Sequence, residues 1–284
     1  MTVDTKLYEA SFQRNFGVVS REEQEKLRKG RVTVVGAGGV GGITLIQLAR
    51  MGVGSIHVID KDAFEASNIN RQMLSSISRL GKQKAVVAEE VLHDINPSIS
   101  VRTSTEFVTE ENAPTLLADT DVIVDATDNL VSRLVIHRAA AALGIPSIWI
   151  AVTPPFRGGV MTMTPTSMPY ELVLRHPSYQ KALTPDVRDQ VSELKNGRAR
   201  FSVSQGALPE WAEGYLKGDL AWAVLAPVAN IVGVLASFEA FKVLVGRPGL
   251  EPVAGPKLVK IDLAQDLMVQ AITPEEGSWD NTHL

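Results

Sequence analysis

The chain has no cysteine among its 284 residues. Disulfides, thiolate zinc sites and a cysteine nucleophile supplied by this chain are therefore excluded. It also lacks a surplus of positive charge. The formal net charge is −4, whereas a general nucleic-acid binder needs clustered Lys and Arg to neutralise phosphates. No secretory leader is visible, because residues 1–14 are polar and mixed in charge, so a cytoplasmic location is expected. No internal repeat and no low-complexity tract is present. One uncharged run of 19 residues, between Asp219 and Glu239, is about as long as a bilayer span. Pro227, Asn230 and Gly233 interrupt it, and Glu239 and Lys242 continue its helical pattern, which points to a buried core helix and no membrane span. With 45% hydrophobic and 21% charged residues the composition is that of a globular protein, long enough for one large domain or two small ones.

What is there is organised around residues 31–72, RVTVVGAGGVGGITLIQLARMGVGSIHVIDKDAFEASNINRQ. A strand-forming run enters a glycine turn, Gly36-Ala37-Gly38-Gly39-Val40-Gly41, followed by an apolar helix and a second strand ending at Asp60. That is the first βαβ unit of a nucleotide-binding sheet. The glycines let the backbone turn sharply near a phosphate, and the helix N-terminus aims N–H groups at it. Asp60 is placed to accept from ribose hydroxyls. The polar loop 62–72 leaves the carboxyl end of strand two beside that turn, where ligands sit in such sheets. Its Asn68, Arg71 and Gln72 are either plain surface or, for Arg71, a planar fork for phosphate oxygens.

The remaining chain alternates β and α to about residue 152, which means a parallel sheet covered on both faces. Ser20 and Glu23 read as a capping box opening a helix that Gly30 ends. Arg14, ahead of it, reads as a solvated surface charge. Lys84 starts a helix running to Ile95, against the dipole preference for acids there, a weak sign of an anionic partner. After the strand 121–125, Asp128 and Asn129 either cap the next helix or, for Asp128, hold Mg²⁺. From Pro154 the rhythm changes to a strand 158–163 of antiparallel type and a closing hairpin, 257–262 with 267–272. Residues 165–205 read as a long polar connection with one helix over 185–195. A short helix is expected over 207–217 and the buried one over 221–245. The last dozen residues read as frayed.

With these residues in hand, the chain resembles the ThiF/MoeB/HesA ubiquitin-activating (E1-like) superfamily, over about residues 14–272. The resemblance rests on the glycine turn, Asp60, Ser67-Asn68-Ile69-Asn70-Arg71-Gln72, Gly81-Lys82-Gln83-Lys84, Ile95-Asn96-Pro97 and Asp125-Ala126-Thr127-Asp128-Asn129. It implies a Rossmann-like doubly wound α/β sheet, parallel first and extended by antiparallel strands. The implied organisation is an arm and helix (1–30), an ATP-binding half (31–152) and a substrate-binding half (153–284) of one domain. The implied activity is ATP-dependent adenylation of a carboxylate with release of pyrophosphate, by a homodimer.

By the same resemblance Gly36, Gly38, Gly39 and Gly41 line the nucleotide and Asp60 binds the ribose. Asn68, Arg71 and Lys84 contact the phosphates, with Gln72 beside them, and Asp62 and Asn129 belong to the nucleotide site. Asp128 supports Mg²⁺, and Arg14 reaches into the partner subunit's site. Arg14, Arg71, Lys84 and Asp128 are thus the implied catalytic set. The chain departs from relatives that carry paired CxxC zinc ligands or a catalytic cysteine, so no zinc and no enzyme thioester are expected. The acyl substrate is left open between a ubiquitin-like protein, a peptide and a small molecule, and a tRNA substrate stays open as well. Two other readings stand beside this one. An NAD-dependent oxidoreductase fits the glycine turn but leaves Asn68, Arg71, Gln72, Lys84 and Asp128 unexplained. A non-catalytic nucleotide-binding pseudoenzyme subunit fits the missing cysteine and zinc ligands but not the full set of phosphate-site residues.

Overall fold

A computed structural model describes residues 3–283. Two helices, α1 (Val3–Phe12) and α2 (Arg21–Lys29), precede strand β1 (Arg31–Val35). Then come α3 (Gly39–Met51), β2 (Ser55–Ile59), α4 (Lys84–Ile95), β3 (Ser100–Ser104), α5 (Ala113–Leu116), β4 (Val122–Asp125), α6 (Leu130–Leu143) and β5 (Ser147–Thr153). The second half holds β6 (Arg157–Met163), α7 (Tyr170–Val173), α8 (Pro185–Ser204), α9 (Pro209–Lys217), α10 (Ala226–Val245), β7 (Leu258–Asp262) and β8 (Val269–Ile272).

All the strands form one sheet in the order β3-β2-β1-β4-β5-β6-β7-β8. The pairings from β3 through β5 are parallel, and β6, β7 and β8 add antiparallel strands. Strand residues alternate between two cores. Val32, Val34, Val122 and Val124 face α3, α4 and α10, while Val35, Ile123, Trp149 and Ala151 face α6, α7 and α8. The chain runs outward to β3 on one side of β1 and resumes with β4 on the other. The crevice between β1 and β4 is therefore the topological switch point, where such sheets hold ligands.

α10 is a core helix, as its interruptions suggest. A Cβ on Gly233 would lie 2.3 Å from Ile43 Cγ2, so the glycine is what lets α10 close on α3. Glu239 is buried but partnered, accepting from Thr162 Oγ1 (2.9 Å), the Val253 amide (2.7 Å) and Lys242 Nζ (2.6 Å). The helix starts at Ala226, later than residue 221, because Pro227 is suited to the first turn.

Several expectations are corrected. The lead-in to residue 19 contains α1, whose Tyr8 and Phe12 are buried one turn apart, and Tyr8 Oη donates to the Gly52 carbonyl at 2.6 Å. The 165–205 connection is mostly helical, because α8 continues past residue 195 to Ser204. Within the last dozen residues, Trp279 and Asn281 are tied down. The Trp279 amide donates to the Val173 carbonyl (2.7 Å), and Asn281 is buried against α8.

Candidate active site

The crevice at the carboxyl ends of β1, β2, β4 and β5 is a cavity of about 390 Å³. Its floor is the glycine turn. Gly36 adopts φ +96°, a left-handed conformation, and a Cβ there would meet the Ala126 carbonyl at 2.7 Å, so the turn is reserved for glycine. Gly38 and Gly39 are half-buried at the start of α3, whose N-cap makes no side-chain hydrogen bond, so its first amides keep their capacity for an anion. Asp60 ties the turn to the end of β2 by accepting from the Ala37 amide at 2.7 Å. Burial pushes its carboxyl up, and the amides of Ala37 and Asp62, with Lys84, oppose that rise.

The loop 62–72 supplies one wall. Asn68 is buried and builds the turn, accepting from the Glu65 amide at 3.1 Å, while its carbonyl accepts from the Arg71 and Gln72 amides. Arg71 Nη1 donates to the Ser67 carbonyl (3.0 Å) and Asn70 Oδ1 (2.8 Å), which fixes the guanidinium on the cavity wall. Lys84 is buried at the start of α4 with Nζ 3.4 Å from Asp62 Oδ2. Burial raises Asp62, but Lys84 and Lys61 more than offset this, and its carboxyl ends up lowered.

The opposite wall follows β4. Asn129 is the N-cap of α6, its Oδ1 accepting from the Ser132 amide at 2.9 Å. Asp128 beside it is exposed at the cavity edge. Asp125 is fully buried against Arg133 (3.6 Å) and His137 (3.2 Å), and Arg133 also donates to the Ile150 and Thr127 carbonyls.

The structure thus gathers Gly36, Gly38, Gly39, Asp60, Asp62, Arg71, Gln72, Lys84, Asp128 and Asn129 around one cavity. Three expected site residues lie elsewhere. Gly41 sits behind the lining, where a Cβ would stand 1.8 Å from the Gly36 carbonyl oxygen, so it serves helix–turn packing. Asn68 shapes the loop from behind. Arg14 is exposed, in a single 3₁₀ turn (Gln13–Asn15), and does not line its own chain's cavity.

The sequence reading missed Arg133, Lys195, Arg198 and Trp222, all on the cavity wall. Lys195 ends the helix expected over 185–195, and Arg198 comes from its continuation to Ser204. Burial lowers Lys195 and Arg198, Arg198 to about 10, with Arg133 adding to both effects and Asp128 opposing it at Lys195. Arg198 is held by Asn281, to whose carbonyl its Nε donates at 2.8 Å. The spacing of Val187, Val191, Arg198 and Ser202, all buried, was the signal that α8 continues.

The residues fit a nucleoside triphosphate. The cationic wall and the bare helix start suit phosphates. Gln72 Oε1 and Ser132 Oγ are buried at the cavity without a partner among the described residues, which suits a polar ligand. No group of three or more His, Cys, Asp or Glu side chains that could hold a metal occurs among the described residues. Mg²⁺ normally takes one or two carboxylates plus substrate phosphates, a role open to Asp128.

The chain is similar to known proteins along most of its length. A sulfur carrier protein adenylyltransferase from Thermus thermophilus is 34% identical over 241 residues, 85% of this chain and 78% of that protein. The sulfur carrier protein ThiS adenylyltransferase of Bacillus subtilis is 37% identical over 161 residues, 56% of this chain and 48% of that protein. Among solved structures, Escherichia coli MccB with ATP superposes with a TM-score of 0.67 at 19% identity, over 91% of this chain and 67% of that one, a likeness of fold. The match to the ThiF family runs over residues 11–278, taking in the turn, the cationic wall and both halves of the sheet, and the chain belongs to that family.

Proposed function

We propose that this protein is an ATP-dependent adenylyltransferase, an E1-like enzyme that activates a carboxylate as acyl-AMP and releases pyrophosphate. One observation carries the reading. The uncapped start of α3 shares its cavity with Arg71, Lys84, Arg133, Lys195 and Arg198, far more positive charge than a nicotinamide dinucleotide needs.

The substrate carboxylate oxygen attacks the α-phosphorus of ATP. The bond from that phosphorus to the bridging oxygen breaks, and its electron pair leaves with pyrophosphate. Anions converge in this step, so its barrier is largely electrostatic, and fixed donors lower it. Gly38 and Gly39 bring amides to the phosphates, Asp60 holds the turn and the ribose, and Arg71 and Lys84 offset the developing charge. Lys84 exchanges Asp62 for phosphate oxygens. Asp128, together with those oxygens, would hold Mg²⁺, which supplies charge neutralisation when bound. No cysteine is available for a thioester, so the acyl-adenylate passes directly to an external acceptor.

A small protein or peptide supplies the carboxylate, as the sulfur carrier protein named for the Thermus relative suggests. A ubiquitin-like chain or a small-molecule acid belongs to the same chemistry. Residues 153–284 form the substrate half, and the enzyme works in the cytoplasm as a homodimer. Arg14 acts in trans, a role supported by its exposure away from its own cavity. The test is pyrophosphate release from Mg·ATP across a panel of carrier proteins, peptides and acids. Activity with one class, about 10²-fold lower in Arg71→Ala, supports the reading. ATP binding with no release by any class contradicts it.

A further inference from the structure

A second cavity, of about 120 Å³, lies between α8, strands β5 to β8 and the C-terminal tail. Its basic group is Arg157, only 7% exposed. Arg157 Nη2 donates to the Pro154 carbonyl at 3.3 Å, and its Nε has no acceptor among the described residues. The guanidinium lies over the Phe201 ring, 5.1 Å from its centroid. Among the described residues no carboxylate comes within 4.0 Å of it. Asp262, its cross-strand partner, turns instead to the Ala264 amide at 3.2 Å. Lys260 adds a second positive charge, the His283 ring stacks on Phe201 with its Nδ1 3.7 Å from Asp280, and no acidic side chain lines the space.

A guanidinium taken out of water without a counter-charge is costly, and Arg is shaped for a planar, two-oxygen acceptor. Burial lowers the proton affinity of Arg157, and the charge of Asp262, outside the cavity lining, opposes this only in part. The space exceeds that of a single water, and Trp149, Leu258 and Ile261 give it apolar walls. The ligand for such a site is a carboxylate on a short apolar stem.

Position says whose carboxylate. Ala151 lines both this cavity and the large one. Arg198 on the large cavity and Phe201 on the small one are three residues apart on α8, about 4.5 Å along the helix. We propose that the Arg157 cavity receives a second acidic group of the acyl substrate, while the carboxylate to be activated lies in the large cavity. The substrate is then a diacid, or a chain whose end carries an acidic side chain. This rests on the adenylation reading above.

The test is equilibrium binding, without nucleotide, of the diacids from succinate to suberate, each against the monoacid of equal length and against inorganic phosphate. Trp149 and Trp279 line the cavity and supply a fluorescence signal. One diacid should bind at least tenfold more tightly than its monoacid. Arg157→Gln should bring it down to the monoacid's affinity. Lys260→Ala, at the half-buried rim, should weaken it a few-fold in a folded protein even if Arg157→Gln misfolds. Equal binding of diacid and monoacid, or binding that neither variant weakens, overturns the proposal. Phosphate binding that is tighter than any diacid's and that Arg157→Gln abolishes assigns this cavity to a free anion and overturns the proposal too. Mg·ATP binding is measured separately on the same samples, and its absence would sink the adenylation reading without altering the diacid result.

Discussion

The carboxylate of Asp60 accepts from the Ala37 amide at 2.7 Å, so the residue at the end of β2 holds the glycine turn after β1 in place. Its second oxygen accepts from the Asp62 amide at 2.8 Å. Asp60→Asn puts an amide N–H where an acceptor is required. The variant should lose about 1–3 kcal/mol of stability and weaken Mg·ATP binding, read by denaturant melts and calorimetry. Unchanged stability would mean the turn stands without it.

Gly41→Ala tests the helix–turn contact. The added methyl would sit 1.8 Å from the Gly36 carbonyl oxygen, a distance only backbone movement can relieve. A loss of about 3 kcal/mol or more is expected, with ATP binding lost as well. Gly218→Ala, with nothing within 4 Å but φ +83°, should cost less, about 1 kcal/mol.

His57 gives the acid limb of stability a definite sign. Its Nδ1 lies 2.8 Å from Arg102 Nη2 and accepts from that guanidinium. Burial, and then Arg102, lowers its pKa from 6.5 to about 4. Between those pH values the unfolded chain binds a proton that the folded one refuses. Its contribution is therefore complete above about pH 6.5 and is lost as pH falls toward 4, at up to about 1.4 kcal/mol per pH unit. His57→Gln should make the decline of stability across pH 6.5–4 shallower by that single proton. An unchanged slope would contradict the assignment.

The tail supports the cationic wall. Asn281 accepts from Arg198 through its carbonyl and its side chain, and Trp279 Nε1 donates to the Pro256 carbonyl at 2.7 Å. Asn281→Ala leaves a buried guanidinium short of one acceptor. It should cost about 1–3 kcal/mol and weaken Mg·ATP binding, although it does not line the cavity.

The first half of the site was legible because local chemistry and function coincide there. The Val32–Val35 run, the glycine turn and Asp60 each demand a residue type at a fixed place, and the Ser20–Glu23 capping box does the same for α2. Lys195 and Arg198 were not legible, since Gly197 and the charges between the apolar positions of α8 disguise its buried stripe. Arg133 depends on partners in two other elements, Asp125 on β4 and the Ile150 carbonyl on β5, that no spacing announces. Tyr8 and Trp279 are anchored by contacts far away in sequence, to Gly52 and Val173.

The most direct test is the thermal stability of the wild type and Arg71→Ala with Mg·ATP and, separately, with NAD. At about 100 times its dissociation constant a ligand adds roughly 2.7 kcal/mol. The account predicts stabilisation of the wild type by Mg·ATP, a much smaller effect in Arg71→Ala, and none with NAD. Stabilisation by NAD and not by ATP would contradict it.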